Sequence, residues 1–366
     1  MPEFLFEYFI QVDLAIALQV VILGFIGGIL SGFIGSGGAF FMTPGMMNLG
    51  VPGVVAVGTN ITHKFGKAMM GSKKHGEYGN VDKRMSWCMV ITAFIGIRLA
   101  VWINSTLFKL GGGGHGEGGG SAASDLYISG VFIFILTIVA ISMLRDALKP
   151  GDEGEGPSMK IANLISRHNL PPYINFKVAD VKVSLWVVLI CGFATGYLAG
   201  TIGVGGFIGV PAMIYVFGVP TAVAAGSELY LAMFMGGWGA LNYAFQGFVD
   251  IRLTMLLYLG SLLGIYIGAY GVKVVKEVLI RIVTGTLILI CVGSRAIAVP
   301  IYLRQLGWIS FDPAWDTYFN QASKGLLFLA GISGTTIILY NVVKAYRQRR
   351  RIRTTLIEAR AFPEPV

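Results

Sequence analysis

The apolar stretch from Val51 to Gly71 carries a set of residues that could do chemistry. Asn60, Lys64 and Lys67 fall at i, i+4 and i+7, one stripe of a helix, and Thr59 and His63 fall on the adjoining stripe. Arg98 lies deep in the next apolar stretch, and Ser227 and Glu228 lie in a later one. Ionisable groups in apolar surroundings are costly, so they are expected to face a cavity or one another. The chemistry open to this set is the handling of charge. Lys64 or Arg98 could neutralise an anion, and His63 or Glu228 could exchange a proton. Arg98 could instead pair with Glu228. Lys67, Lys73 and Lys74 are expected to reach outward to a polar boundary along their apolar stems.

Two glycine-rich breaks accompany these residues: Gly35-Ser36-Gly37-Gly38 and Gly203-Val204-Gly205-Gly206, each within a long apolar run. Glycine at that density costs about 1 kcal/mol per position in a helix relative to alanine. A half-helix starting after Gly38 or Gly206 would present unpaired N–H groups and a positive dipole end, which together bind anions. Tight helix packing is the structural alternative. Neither break ends in the Gly-Lys-Ser/Thr of a phosphate-binding loop.

The elements that must hold these residues are membrane helices. The 366 residues are 55% hydrophobic and only 13% charged, with a mean hydropathy of +0.71. The net charge of +9 is no sign of nucleic-acid binding, because the basic residues cluster at the ends of apolar runs. Seven cations lie in the last 23 residues, as at a cytoplasmic membrane edge. Cys88, Cys191 and Cys291 are scattered singly, and no metal or cofactor is expected.

The chain is internally duplicated. An offset of 168 residues relates Gly32 to Gly200, Gly35 to Gly203, Gly38 to Gly206, Pro52 to Pro220 and Asp82 to Asp250. It also relates Thr59 to Ser227 and Asn60 to Glu228. Register held over more than seventy residues is a repeat. The fold expected is all-α and integral to the membrane. Each repeat has a broken or re-entrant helix and about three full spans, and one extra span follows. The units read as repeat 1 (1–147), a cytoplasmic connector (148–183), repeat 2 (184–299), a loop with the extra span (300–343) and a basic cytoplasmic tail (344–366). Full spans are expected at 51–71, 85–104, 126–144, 220–245, 253–272, 279–299 and 324–343. Residues 109–124, with His115, read as a flexible loop, and 158–168 as an amphipathic surface helix. Cationic loops at 73–84 and 273–281 and the tail would be cytoplasmic, with 110–124 outside. These assignments agree if the broken helix enters and leaves by one face, which makes the repeats inverted.

The strings Gly32-Phe-Ile-Gly-Ser-Gly-Gly and Gly200-Thr-Ile-Gly-Val-Gly-Gly resemble the sulfite exporter TauE/SafE family. So do the paired Gly-Val-Pro motifs, each followed by Gly-Thr or Gly-Ser, and the Gly-x-Val-Asp turns, over about Leu23 to Val299. Asn60 to Lys67 is more polar than the family usually shows there. The resemblance implies a transporter of sulfite, sulfonates or related small anions, set in the bacterial inner membrane and not an enzyme. The substrate would be held by Gly35, Ser36, Gly37, Gly38, Thr59, Asn60, Gly203, Gly205, Gly206 and Ser227. His63, Lys64, Arg98 and Glu228 would serve charge and coupling, with H+ or another ion as the partner. An anion channel is the alternative, and a membrane enzyme a weaker one. Homo-oligomerisation is left open.

Overall fold

Apolar periodicity and glycine punctuation become eleven α-helices and one hairpin in the computed structural model, which describes residues 9–34, 38–111, 122–148, 171–203, 205–274 and 277–361. Residues 9–148 hold α1 (Leu14–Ile34), α2 (Ala39–Asn48), α3 (Gly53–Glu77), α4 (Lys83–Leu110) and α5 (Ala122–Leu148). Residues 185–305 hold α6 (Leu185–Ile202), α7 (Gly206–Pro211) with a π-turn at Ala212–Val216, α8 (Thr221–Phe245), α9 (Ile251–Val274) and α10 (Glu277–Gln305). The last helix is α11 (Ala314–Ala361). Seven helices among the described residues are long and apolar enough to cross a membrane, and the protein is a multi-pass membrane protein. The glycine loop around His115 and the segment 158–168 lie outside the described residues.

Several helices outrun the apolar stretches that announce them. Lys73 and Lys74, expected in a loop, stand on the last turns of α3. α10 passes through Pro300 to Gln305, and α11 begins ten residues before Lys324. Hydropathy marks only the part of a helix that lies in hydrocarbon, whereas backbone hydrogen bonding continues past it. The connector contains an antiparallel hairpin, β1 (Tyr173–Phe176) with β2 (Val181–Ser184).

The broken segment is a fold-back. Gly38 lies against Gly27 and Ser31, and Gly45 against Leu23, so α2 returns along α1 towards the face where α1 began. At 10 residues, α2 is about 15 Å long, half the ~30 Å hydrocarbon core. All ten of its residues are buried, and its two polar side chains, Thr43 and Asn48, are hydrogen-bonded within the protein. Gly50 and Gly218 have φ of +88° and +76°, the left-handed turn that lets the chain reverse before α3 and α8. Val51-Pro52 and Val219-Pro220 then start those helices.

The duplication reappears as an exchange of contacts. α1 packs on α9, and its counterpart α6 packs on α4. A Cβ on Gly24 would meet Leu257 and one on Gly28 would meet Ser261, while Gly192 meets Met89 and Gly196 meets Ala93. The second pair of contacts is the first displaced by 168 residues, with the repeats exchanged. Approach this close is what holds helices together in lipid, where apolar burial adds no driving force. α3 and α8 pack on each other antiparallel, with Ile61 against Gly239, Phe65 against Gly236 and Gly71 against Leu229. The stretches 51–71 and 220–245 read as full spans, but α3 and α8, at 25 residues each, are not among the seven helices apolar enough to cross, because their polar residues lower their hydropathy.

Candidate functional site between the broken helices

Asn60 stands seven residues into α3 and Glu228 seven residues into α8. The helices run in opposite directions, so the two residues lie about 10 Å in from opposite ends of helices about 37 Å long. Around them α6 delivers the second glycine break and α2 returns from the first.

Lys64 and Glu228 form the charged heart of this region. Lys64 Nζ lies 3.5 Å from Glu228 Oε1, and their side chains are 10% and 0% exposed. The pair is long for a charge-assisted hydrogen bond. Glu228 Oε2 is buried with no partner among the described residues, as is the hydroxyl of Thr195 on α6. These two side chains lie on either side of Gly209, whose Cβ would sit 3.1 Å from Glu228 Cγ and 3.2 Å from Thr195 Cγ2. Gly205 adjoins the cation, since a Cβ there would be 3.4 Å from Lys64 Nζ. Glycine in the break thus lets the backbone approach the lysine closely. Lys67, one turn further along α3 and half-buried, makes no ion pair among the described residues.

Asn60 links the two breaks. Its Nδ2 donates to Ala39 O at 3.0 Å and to Thr43 Oγ1 at 2.7 Å, both on α2. Thr43 in turn donates to Ile202 O at the end of α6. Gly203, at φ +78°, turns the chain directly over Asn60 and Thr43. Asn60 Oδ1 is buried without a partner among the described residues. Buried polar atoms are rarely left unpaired, which makes Asn60 Oδ1, Thr195 Oγ1 and Glu228 Oε2 candidate contacts for a polar ligand.

Other expected residues are engaged differently. Thr59 Oγ1 accepts from Asp250 N at 3.2 Å, and Ser227 Oγ accepts from Asp82 N at 2.9 Å. These repeat-related bonds pin the Gly-x-Val-Asp turns to α3 and α8. The Asp82 carboxylate caps α4 through Met85 N and holds Val178 N and Ala179 N of the hairpin turn. His63 points to the other side of α3, with Nε2 2.7 Å from Ser261 Oγ and its ring 4.7 Å from that of Tyr258. Arg98 is exposed on the outer surface of α4 and donates to Asn242 Oδ1 at 2.8 Å, so the pairing with Glu228 is not made. Gly38 is a packing residue, because a Cβ there would lie 1.8 Å from Gly27 O. Gly206 opens α7 and is buried. Gly35, Ser36 and Gly37 lie outside the described residues.

A family model described as sulfite exporter TauE/SafE matches residues 20–295, about three-quarters of the chain. The chain belongs to the TauE/SafE family. Curated relatives are named as membrane transporters and are matched over nearly their whole length. The probable membrane transporter protein YdhB of Bacillus subtilis (strain 168) is 22% identical over 271 residues, 72% of this chain and 94% of the relative. YjnA from the same strain is 24% identical, covering 69% and 89%. A probable membrane transporter protein of Xylella fastidiosa (strain 9a5c) is 27% identical, covering 77% and 93%. No solved structure matches the chain.

At the end of the TauE/SafE match lies a group that reading by stripes overlooked. Arg295 on α10 is 1% exposed. It donates to Asn48 Oδ1, Tyr302 Oη and Met47 Sδ, and Ser294 and Ser323 complete the network around Asn48. It ties the C-terminal end of α2, where the dipole is negative, to α10 and α11. The signal was present, as an arginine deep within the apolar stretch 279–299, fourteen residues beyond Arg281 at its start. Thr195 carried no comparable signal, since a threonine in an apolar helix is ordinary.

Proposed function

We propose that this TauE/SafE protein is a secondary transporter for a small sulfur-containing anion, sulfite or a sulfonate, bound at Lys64 between the two broken helices. The enclosed Lys64–Glu228 pair beside Gly205 carries this reading. α3 supplies two cations, Lys64 and Lys67, against the single carboxylate of Glu228 on α8, so the ionised site has a positive balance. Asn60, Thr195 and the backbone at Gly203 and Gly205 supply further polar contacts. Glu228 is the coupling group: a proton on its carboxylate releases Lys64 to the anion, and loss of that proton restores the internal pair and expels the anion. His63, hydrogen-bonded to Ser261 behind α3, is a second group for proton exchange. Thr59 and Ser227 are given a structural part, because their hydroxyls already hold the Asp250 and Asp82 turns.

The same proposal sets the repeats as inverted about an axis in the membrane plane, supported by the antiparallel α3 and α8 and by the exchanged α1–α9 and α4–α6 contacts. The face bearing the α3 C-terminus, the α9–α10 junction and the tail is cytoplasmic, because the cations concentrate there. The membrane is the bacterial inner membrane. Counterflow in proteoliposomes against sulfite, thiosulfate, sulfonates and carboxylates tests the assignment. The proposal expects saturable exchange for a sulfur oxyanion. Ohmic, non-saturating current would indicate a channel instead.

A further inference from the structure

The end of α11 carries two exposed cations that make no ion pair among the described residues, Lys344 and Arg347. Leu326 to Val343 is free of charge, and at 1.5 Å per residue it spans about 27 Å, close to the depth of the hydrocarbon core. Lys344 and Arg347 follow immediately, one turn apart, both exposed and without an ion pair among the described residues. The sequence continues with Arg349, Arg350, Arg351 and Arg353. Beside this edge lies a concavity of about 610 Å³ between α9 and α11, lined by Tyr266, Ile267, Tyr270, Val342, Tyr346 and Arg347. Its inner wall is set where Gly271 approaches Val342 and Phe33. A second concavity on α11 shares Val343 and Arg347 and includes Lys344.

The chemistry of these walls is graded with depth. Ile267 and Val342 are apolar, the tyrosines are amphipathic as at a membrane–water boundary, and the rim is cationic. A soluble anion would gain nothing from the apolar floor, and a neutral lipid nothing from the unpaired cations. We propose that this groove binds an anionic phospholipid, with its phosphate on Arg347 at the rim and on Lys344 one turn before it, in the adjoining concavity, and an acyl chain along Ile267 and Val342. The site is separate from the Lys64–Glu228 region and does not depend on the transport reading.

Native mass spectrometry of the full-length protein, equilibrated with equimolar phosphatidylglycerol and phosphatidylcholine, tests the site. Each cation at a lipid surface contributes about 1 kcal/mol, or about fivefold in affinity. Phosphatidylglycerol should therefore be retained over phosphatidylcholine by about thirtyfold. Lys344→Gln with Arg347→Gln should abolish the preference, and Lys344→Arg with Arg347→Lys should keep it. Glycerol 3-phosphate should not compete. Neutralising Arg349, Arg350, Arg351 and Arg353 together should leave the preference largely in place. Equal retention of the two lipids, competition by glycerol 3-phosphate, or loss of preference only in the four-arginine variant would overturn the proposal.

Discussion

At the scale of single residues, magnitudes decide what the Lys64–Glu228 pair is for. At 3.5 Å and an effective dielectric constant of about 20, the attraction is about 5 kcal/mol. Desolvating the two ions costs several kcal/mol each, so the pair adds little net stability. Removing one partner alone strands a buried charge, at about 3–5 kcal/mol. Glu228→Gln is therefore expected to lower the melting temperature, and Lys64→Gln likewise. The double variant should regain stability without regaining transport, which thermal unfolding and flux assays on the same preparations will show. Thr59→Val and Ser227→Ala should each lose about 1 kcal/mol of stability through the freed Asp250 or Asp82 amide. Their KM for the anion should stay near that of the wild type. The identities of Asn60, Lys64 and Glu228 as buried polar groups were legible from helical spacing and the repeat offset. The structural engagement of Thr59 and Ser227 was not, because their partners lie 191 and 145 residues away in the chain.

At the scale of elements, glycine has two different duties that a sequence does not separate. In α1, α4, α6 and α9 it brings backbones into contact, as where Gly196 meets Ala93 O and Gly264 meets Phe25 O. A Cβ added at Gly130 on α5 would meet nothing within 4 Å, so this glycine only costs helix propensity. Gly196→Leu should thus abolish folded protein in the membrane. Gly130→Ala should keep transport and gain up to about 1 kcal/mol. Quantifying monodisperse protein by size-exclusion chromatography for both variants checks the contrast. The fold-back of α2 was legible from its length, too short to cross. The reach of α3 to Glu77 and of α10 to Gln305 was not, since polar helical turns outside hydrocarbon look like loops in a hydropathy reading. Arg98 shows the same limit: position along a helix was clear, but the face it occupies depends on which neighbour packs where.

At the scale of the molecule, the 168-residue offset in the sequence becomes a swap of contacts across the bundle, with each repeat completing the other's helix pairs. The Asp82 turn holds the hairpin that leads into α6, and Arg252 beside Asp250 holds Ile10 before α1. Each repeat's turn thereby anchors the entry to the other repeat's first helix. If the repeats are inverted as proposed, a cysteine at Lys276 should react only with reagents that reach the cytoplasm, and one at His115 only from outside. Labelling Lys276 from outside in oriented cells would break the arrangement.

The central claim is that a small anion is bound at Lys64 between the broken helices, and sulfite counterflow tests it most directly. Proteoliposomes with wild-type protein, Lys64→Arg and Lys64→Gln would be compared at equal reconstituted protein. The account predicts saturable exchange in the wild type, exchange with an altered KM in Lys64→Arg, and a loss of at least about a hundredfold in Lys64→Gln, the effect of removing about 3 kcal/mol of charge-assisted binding. Exchange by Lys64→Gln at the wild-type rate and KM would contradict it.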